Sequence, residues 1–144
     1  EPGNFKVPFG MNQAELIEAA GGYKVDPEKI ISGGPMMGFS MFTVDVPVTK
    51  TSSSILCFTK DEVAQYEPTA CINCGRCVEV CPSRLIPSRL ADYAEHHDEE
   101  AFTKHEGLEC MECGSCSYVC PAKRQLKQAI GSMRKTALAN RKKK

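Results

Sequence analysis

The 144-residue sequence predicts an α+β fold in two parts, a short-stranded N-terminal part followed by a helical, cysteine-rich one. Three observations carry that expectation. Before residue 60, apolar residues alternate or cluster in short runs, as in half-buried strands. Eight of the nine cysteines lie between Cys71 and Cys120, in two copies of C-x2-C-x2-C-x3-C-P. Beyond them, apolar residues recur at three- and four-residue intervals, the mark of a helix with one buried stripe.

The cysteine copies are Cys71, Cys74, Cys77, Cys81-Pro82 and Cys110, Cys113, Cys116, Cys120-Pro121, with Gly75 and Gly114 each following the second cysteine. Three thiolates at two-residue gaps wrap one face of an iron-sulfur cube, and the fourth, carried off by the next helical turn and the proline, ligates the other cluster. This crossed reading assigns one 4Fe-4S cluster to Cys71, Cys74, Cys77 and Cys120, and a second to Cys110, Cys113, Cys116 and Cys81. The two clusters are expected to lie close together. Structural zinc prefers separated pairs of ligands and does not call for a third cysteine at the same short spacing. A disulfide framework needs an oxidising compartment, and the sequence shows no secretory signal or transmembrane stretch.

The formal net charge is zero, but the charges are segregated. From Asp92 to Glu112 eight acids face Lys104 alone, and from Lys123 to the end nine cations meet no acid. A terminal charge run is ordinarily a solvated tail; its functional reading is docking to an acidic partner or to anionic lipid headgroups. No nucleic-acid partner is expected. In a chain this short the clusters become part of the fold, and the cysteine region without them is expected to be poorly ordered.

In chain order, Glu1-Pro2-Gly3-Asn4 reads as a turn, with the look of a cut from a longer protein. Phe5, Val7 and Phe9 alternate as a short strand that Pro8 demotes to an edge. Asn12 caps a helix with Glu15 three residues on, Leu16, Ile17 and Ala20 form its stripe, and Gly21-Gly22 stops it. Asp26-Pro27-Glu28 turns the chain into a strand around Ile30 and Ile31. Gly33-Gly34-Pro35-Met36-Met37-Gly38 lacks the G-x-G-x-x-G order and the Walker lysine of phosphate loops, so it reads as a tight turn whose methionines fill a gap. Val44, Val46 and Val48 alternate as another strand. Ile55 to Phe58 reads as a buried strand, with Cys57 an inert core residue. A polar linker spans 61–69. Pro87 opens a helix carrying Leu90, Tyr93 and Ala94, and a short helix around Ala101 and Phe102 ends at Gly107. His96, His97 and His105 read as surface residues. The last helix is expected over about 123–139, with Leu126, Ile130, Met133 and Ala137 inward and a basic outer face. The cluster potentials are expected to be set by backbone donors of the Gly75 and Gly114 turns and by any approach of Arg76 or Lys123.

The two cysteine motifs, Cys-Ile-Asn-Cys-Gly-Arg-Cys-Val and Glu-Cys-Met-Glu-Cys-Gly-Ser-Cys-Ser-Tyr-Val-Cys-Pro, together with Gly-Gly-Pro-Met-Met-Gly, resemble the C subunit of the Rnf electron transport complex over nearly the whole chain. The resemblance implies a partial soluble-ligand-binding beta-grasp (SLBB) domain with its extension over 1–60 and an alpha-helical dicluster ferredoxin domain over 70–144. It implies an electron relay in an ion-translocating ferredoxin:NAD oxidoreductase, peripheral on the cytoplasmic face of the bacterial inner membrane. Its partners would be the other Rnf subunits, a ferredoxin-like one and integral membrane ones among them. FMN and NADH belong by this resemblance to an upstream domain that these residues do not supply, and the first beta-grasp strand would precede Glu1. Two other readings stand beside it. One is the related cobalamin reductase of bacterial microcompartments. The other is a ligand-binding module with a pocket between Phe5 and Phe58, its clusters serving as props.

Overall fold

The computed structural model describes residues 2–142, and the chain divides into two units, Glu1–Gln65 and Tyr66–Lys144.

In the first unit, helix α1 (Gln13–Ala19) starts at Asn12, whose side-chain oxygen accepts the Ala14 N–H at 2.8 Å. It ends where Gly22 N–H reaches back to Ile17 O at 2.9 Å. Strands β1 (Lys29–Ser32), β2 (Phe39–Met41) and β3 (Ile55–Phe58) form an antiparallel sheet in the order β2-β1-β3. Ile30 pairs with Met41 on one side and with Cys57 on the other. Ile17, Ile31 and Val48 are the unit's buried apolar residues. The Gly33–Gly38 run is the β1–β2 connection. Gly33 has φ 97°, and a Cβ on Gly38 would come within 2.5 Å of Gly34 O, so the chain passes too close to itself there for a side chain. Lys29 Nζ meets both Asp61 oxygens at 2.9 Å, and Asp61 N–H donates to Glu28 at 2.8 Å, tying the turn Glu62–Gln65 back to β1.

Several expectations for this unit are corrected. The segments at 5–9 and 44–48 are not strands. Pro8 and Pro47 bring no N–H to a ladder, and what forms is one bridge, Asn12 with Pro47, flanked by Gly10 N–H to Val48 O at 2.8 Å and Val48 N–H to Met11 O at 2.7 Å. Strand β2 falls where no alternation marks it. Met36 and Met37 are exposed rather than filling a gap. Strand β3 is a sheet edge whose C-terminal half, Cys57 and Phe58, is exposed, so Cys57 is not a core residue.

The second unit is helical: α2 (Arg76–Glu79), α3 (Pro87–Glu95), α4 (Glu99–Lys104), α5 (Ser115–Tyr118) and α6 (Leu126–Arg141). Pro87 takes the first turn of α3, where its missing N–H costs nothing. Asp98 caps α4 by accepting the Ala101 N–H at 2.9 Å. Leu85, Leu90, Ala91, Ala94, Phe102, Leu126, Ile130 and Met133 form the core. Helix α6 begins at Leu126, later than expected, because Lys123 is held in the left-handed region at φ 54°. His96, His97 and His105 are exposed, as expected, and the His105 ring stacks on Tyr93 at 5.1 Å. Among the described residues no helix is long and apolar enough to cross a membrane. Lys143 and Lys144 of the expected basic tail lie outside them.

Candidate functional site

The two cysteine copies fold alike, 39 residues apart. Asn73, Gly75 and Arg84 have φ of 53°, 77° and 54°; their counterparts Glu112, Gly114 and Lys123 have 55°, 83° and 54°. In each copy the glycine in the left-handed region starts a short helix, α2 or α5, that carries the third cysteine. Each fourth cysteine then closes a turn through its carbonyl, accepting from Arg84 N–H at 3.0 Å or Lys123 N–H at 3.2 Å, before α3 or α6 begins. The halves lace together at matching places. Ser83 Oγ donates to Glu109 O at 3.2 Å, and Thr69 N–H donates to Ala122 O at 3.0 Å.

This arrangement leaves two cavities. One is lined by Cys71, Cys74, Cys77 and Cys120, with Asn73, Gly75, Ser88, Arg124 and Leu126 among its walls, and encloses about 550 Å3 counting its mouth. The other is lined by Cys110, Cys113, Cys116 and Cys81, with Leu85, Leu90, Glu112, Gly114, Lys127 and Ile130 around them, and measures about 390 Å3, its mouth likewise counted. In each, three thiols come from one copy and the fourth from the other. Among the described residues no three His, Cys, Asp or Glu side chains converge as a single ion would require. A zinc ion needs its sulfurs about 2.3 Å from one point, whereas a cube spreads four thiolates over its corners. The donor set and spacing fit an iron-sulfur cube.

The surroundings of the two quartets differ. Cys71 and Cys74 are exposed, whereas all four thiols of the second cavity are partly buried. Burial pushes the Cys116 thiol up to about 11 and raises Cys110, while the Ser115 hydroxyl beside Cys113 lowers that thiol. Backbone donors already point at sulfur: Leu85 N–H lies 3.3 Å from Cys81 Sγ and Glu112 N–H 3.4 Å from Cys110 Sγ. Neither Arg76 nor Lys123 is among the residues lining the two cavities. Arg76 is exposed on α2, and Lys123 Nζ sits 4.4 Å over the Tyr66 ring. Arg124 and Lys127 line the cavities instead. Aligning the two copies by their spacing would have flagged Arg124, which falls opposite Leu85.

Residues 70–124 match the family described as 4Fe-4S dicluster domain, and residues 1–40 match the SLBB domain. The chain is 42% identical over 142 residues to the C subunit of the Na(+)-translocating ferredoxin:NAD(+) oxidoreductase complex of Acetobacterium woodii, covering 99% of this chain and 32% of that relative. It is 47% identical over 91 residues, 63% of this chain and 20% of the relative, to the C subunit of the proton-translocating ferredoxin:NAD(+) oxidoreductase complex of Clostridium ljungdahlii. To the C subunit of the ion-translocating oxidoreductase complex of Yersinia enterocolitica it is 39% identical over 106 residues, 73% of this chain and 15% of the relative. The chain thus spans a third or less of the length of these relatives. The α+β architecture joins an SLBB region to a dicluster region, and the cofactors of the latter are two 4Fe-4S clusters.

Proposed function

The chain belongs to the family of the C subunits of ion-translocating ferredoxin:NAD(+) oxidoreductase complexes, and on that premise we propose that it is the electron relay of such a subunit. One cluster is held by Cys71, Cys74, Cys77 and Cys120, the other by Cys110, Cys113, Cys116 and Cys81. The observation that carries this reading is the sharing of thiols: each cavity draws its fourth cysteine from the opposite copy, which keeps the two sites adjacent. Two neighbouring clusters supply one-electron transfer. The chain's own residues hold and shield them: Leu85 and Glu112 turn backbone N–H groups onto Cys81 and Cys110 sulfur, and α3 and α6 close the apolar side. By the same reading the chain works in a complex with a ferredoxin-like subunit and integral membrane subunits, peripherally on the cytoplasmic face of the inner membrane. Exposed Lys135, Arg141 and Lys142 favour contact with an acidic partner or anionic lipid headgroups. Flavin and NADH are assigned to other parts of the subunit. Residues 61–69 are proposed as the link between the SLBB part and the dicluster part.

Anaerobically reconstituted protein is expected to bind about eight irons and eight sulfides. Ligation is tested by spectral identity in electron paramagnetic resonance after dithionite reduction. The signal surviving in Cys120→Ser should be the one surviving in Cys71→Ser, and that in Cys81→Ser should match Cys110→Ser. The opposite pairing would mean that each copy holds its own cluster, and zinc without labile sulfide would end the relay reading.

A further inference from the structure

The internal repeat supplies its own comparison. Matched at 39 residues, the walls of the two thiol cavities correspond closely, Ser88 with Lys127 and Leu126 with Pro87 among them. Three matched positions differ in charge: Asn73 stands opposite Glu112, Ser88 opposite Lys127, and Arg124 lines the first cavity where Leu85 lines the second. The Arg124 side chain is only 11% exposed. Its Nη2 carries all its protein bonds, 2.7 Å to Asp92 Oδ1 and 3.0 Å to each oxygen of Glu95. A guanidinium has five N–H donors, so Nε and Nη1 are left without a protein acceptor among the described residues, in a residue that shares its cavity with Cys71 and Cys120.

A cube with four thiolates is anionic and becomes more so on reduction. A cation at its wall therefore favours the reduced form, whereas an apolar enclosure disfavours it. The second cavity has Lys127 and Glu112 in its wall, with Arg134 3.4 Å from the Glu112 carboxylate, and adds Leu85, Leu90 and Ile130. The first has Arg124, no acidic wall residue, and two exposed cysteines. Asp92 and Glu95 offset part of the guanidinium charge, but their side chains are 53% and 51% exposed and so are screened by water. The buried guanidinium and the exposure of Cys71 and Cys74 push the same way. Resting on the crossed ligation proposed above, we infer that the two clusters are unequal and that Arg124 is the tuning residue holding the first at the higher reduction potential. An electron shared by the pair then resides on the side of Cys71, Cys74, Cys77 and Cys120.

The test is a redox titration of the whole holoprotein followed by electron paramagnetic resonance, with two midpoints expected. Arg124→Leu, which installs the residue of the matched position, should lower the upper midpoint and leave the lower one in place. Asp92→Asn, which removes an offsetting carboxylate while keeping the guanidinium, should raise the upper midpoint. A residue that only braced the fold would not give shifts of opposite sign. An upper midpoint unmoved by Asp92→Asn, or shifts confined to the lower one, overturns the inference. If Arg124→Leu loses a cluster, Asp92→Asn decides alone: a rise supports the tuning and anything else refutes it. The spectra of Cys120→Ser and Cys71→Ser report separately on ligation, so shifts of the stated signs with mismatched spectra would keep the tuning and reject the crossed sulfur set.

Discussion

At the scale of single residues, the site depends on backbone that most side chains resist. Gly75 sits at φ 77° with nothing within 4 Å of where a Cβ would stand. Replacing it therefore tests conformation alone and not a clash. Gly75→Ala should destabilise the unit by about 1–2 kcal/mol, the cost of the left-handed region for an L-residue, read from the denaturant midpoint of the holoprotein; Gly75→Asn should recover part of that. Much at this scale was legible in the sequence. The cysteine spacing, both glycines, the Asn12 cap and the Pro87 helix start all stand where local chemistry dictates. Arg124 shows in the sequence only as the residue opposite Leu85 in the repeat; its reach to Asp92 and Glu95 spans about 30 positions, and only the fold brings them together.

At the scale of elements, α6 is less of a basic outer face than its sequence promises. Arg134 Nε donates to Leu108 O at 2.9 Å and Nη1 lies 3.4 Å from Glu112 Oε1, so this cation is turned onto the acidic segment beside the second cavity. Lys135, one residue on, is exposed. Arg134→Glu should cost about 1–3 kcal/mol by leaving the Leu108 carbonyl unpaired, and should set like charges against each other at Glu112. It should also loosen retention of the second cluster, which timed iron release to a chelator would measure. Lys135→Glu should leave that release unchanged. Helix α4 makes the complementary case. Phe102 is fully buried, and a Cβ on Gly107 would come within 2.5 Å of its ring, so the two are fitted to each other. Phe102→Ala should lower unfolding stability by about 3–5 kcal/mol. Helices α1, α3 and α6 were readable because each repeats an apolar stripe over about two turns or more, whereas α2 and α5, at four residues each, are too short to carry one. The strands were less so. Alternation at Phe5, Val7 and Phe9 or at Val44, Val46 and Val48 says nothing of a partner, and the one bridge that forms joins Pro47 to Asn12, outside the first segment. The short run Phe39–Met41 became a strand because Gly33 and Gly38 fold it back on β1.

At the scale of the whole molecule, the division into two parts followed from composition, while the burial of its faces did not. The first unit leaves Phe9, Met37, Phe39 and Phe42 exposed around three buried apolar residues, whereas the second buries Leu90, Phe102, Leu126 and Ile130 almost completely. Within the edge strand β3, Ile55 and Leu56 are half-buried while Cys57 and Phe58 are exposed, a difference that a run of four apolar residues does not encode. In the second unit the lacing of the copies has a consequence for biosynthesis. A nascent chain that has left the ribosome only as far as α3 presents Cys71, Cys74 and Cys77 without Cys120, and Cys81 without the three thiols of its own cavity. On the proposed ligation the second quartet is complete only once Cys116 has been made and the first only once Cys120 has, so neither cluster can be finished before synthesis has reached the second motif.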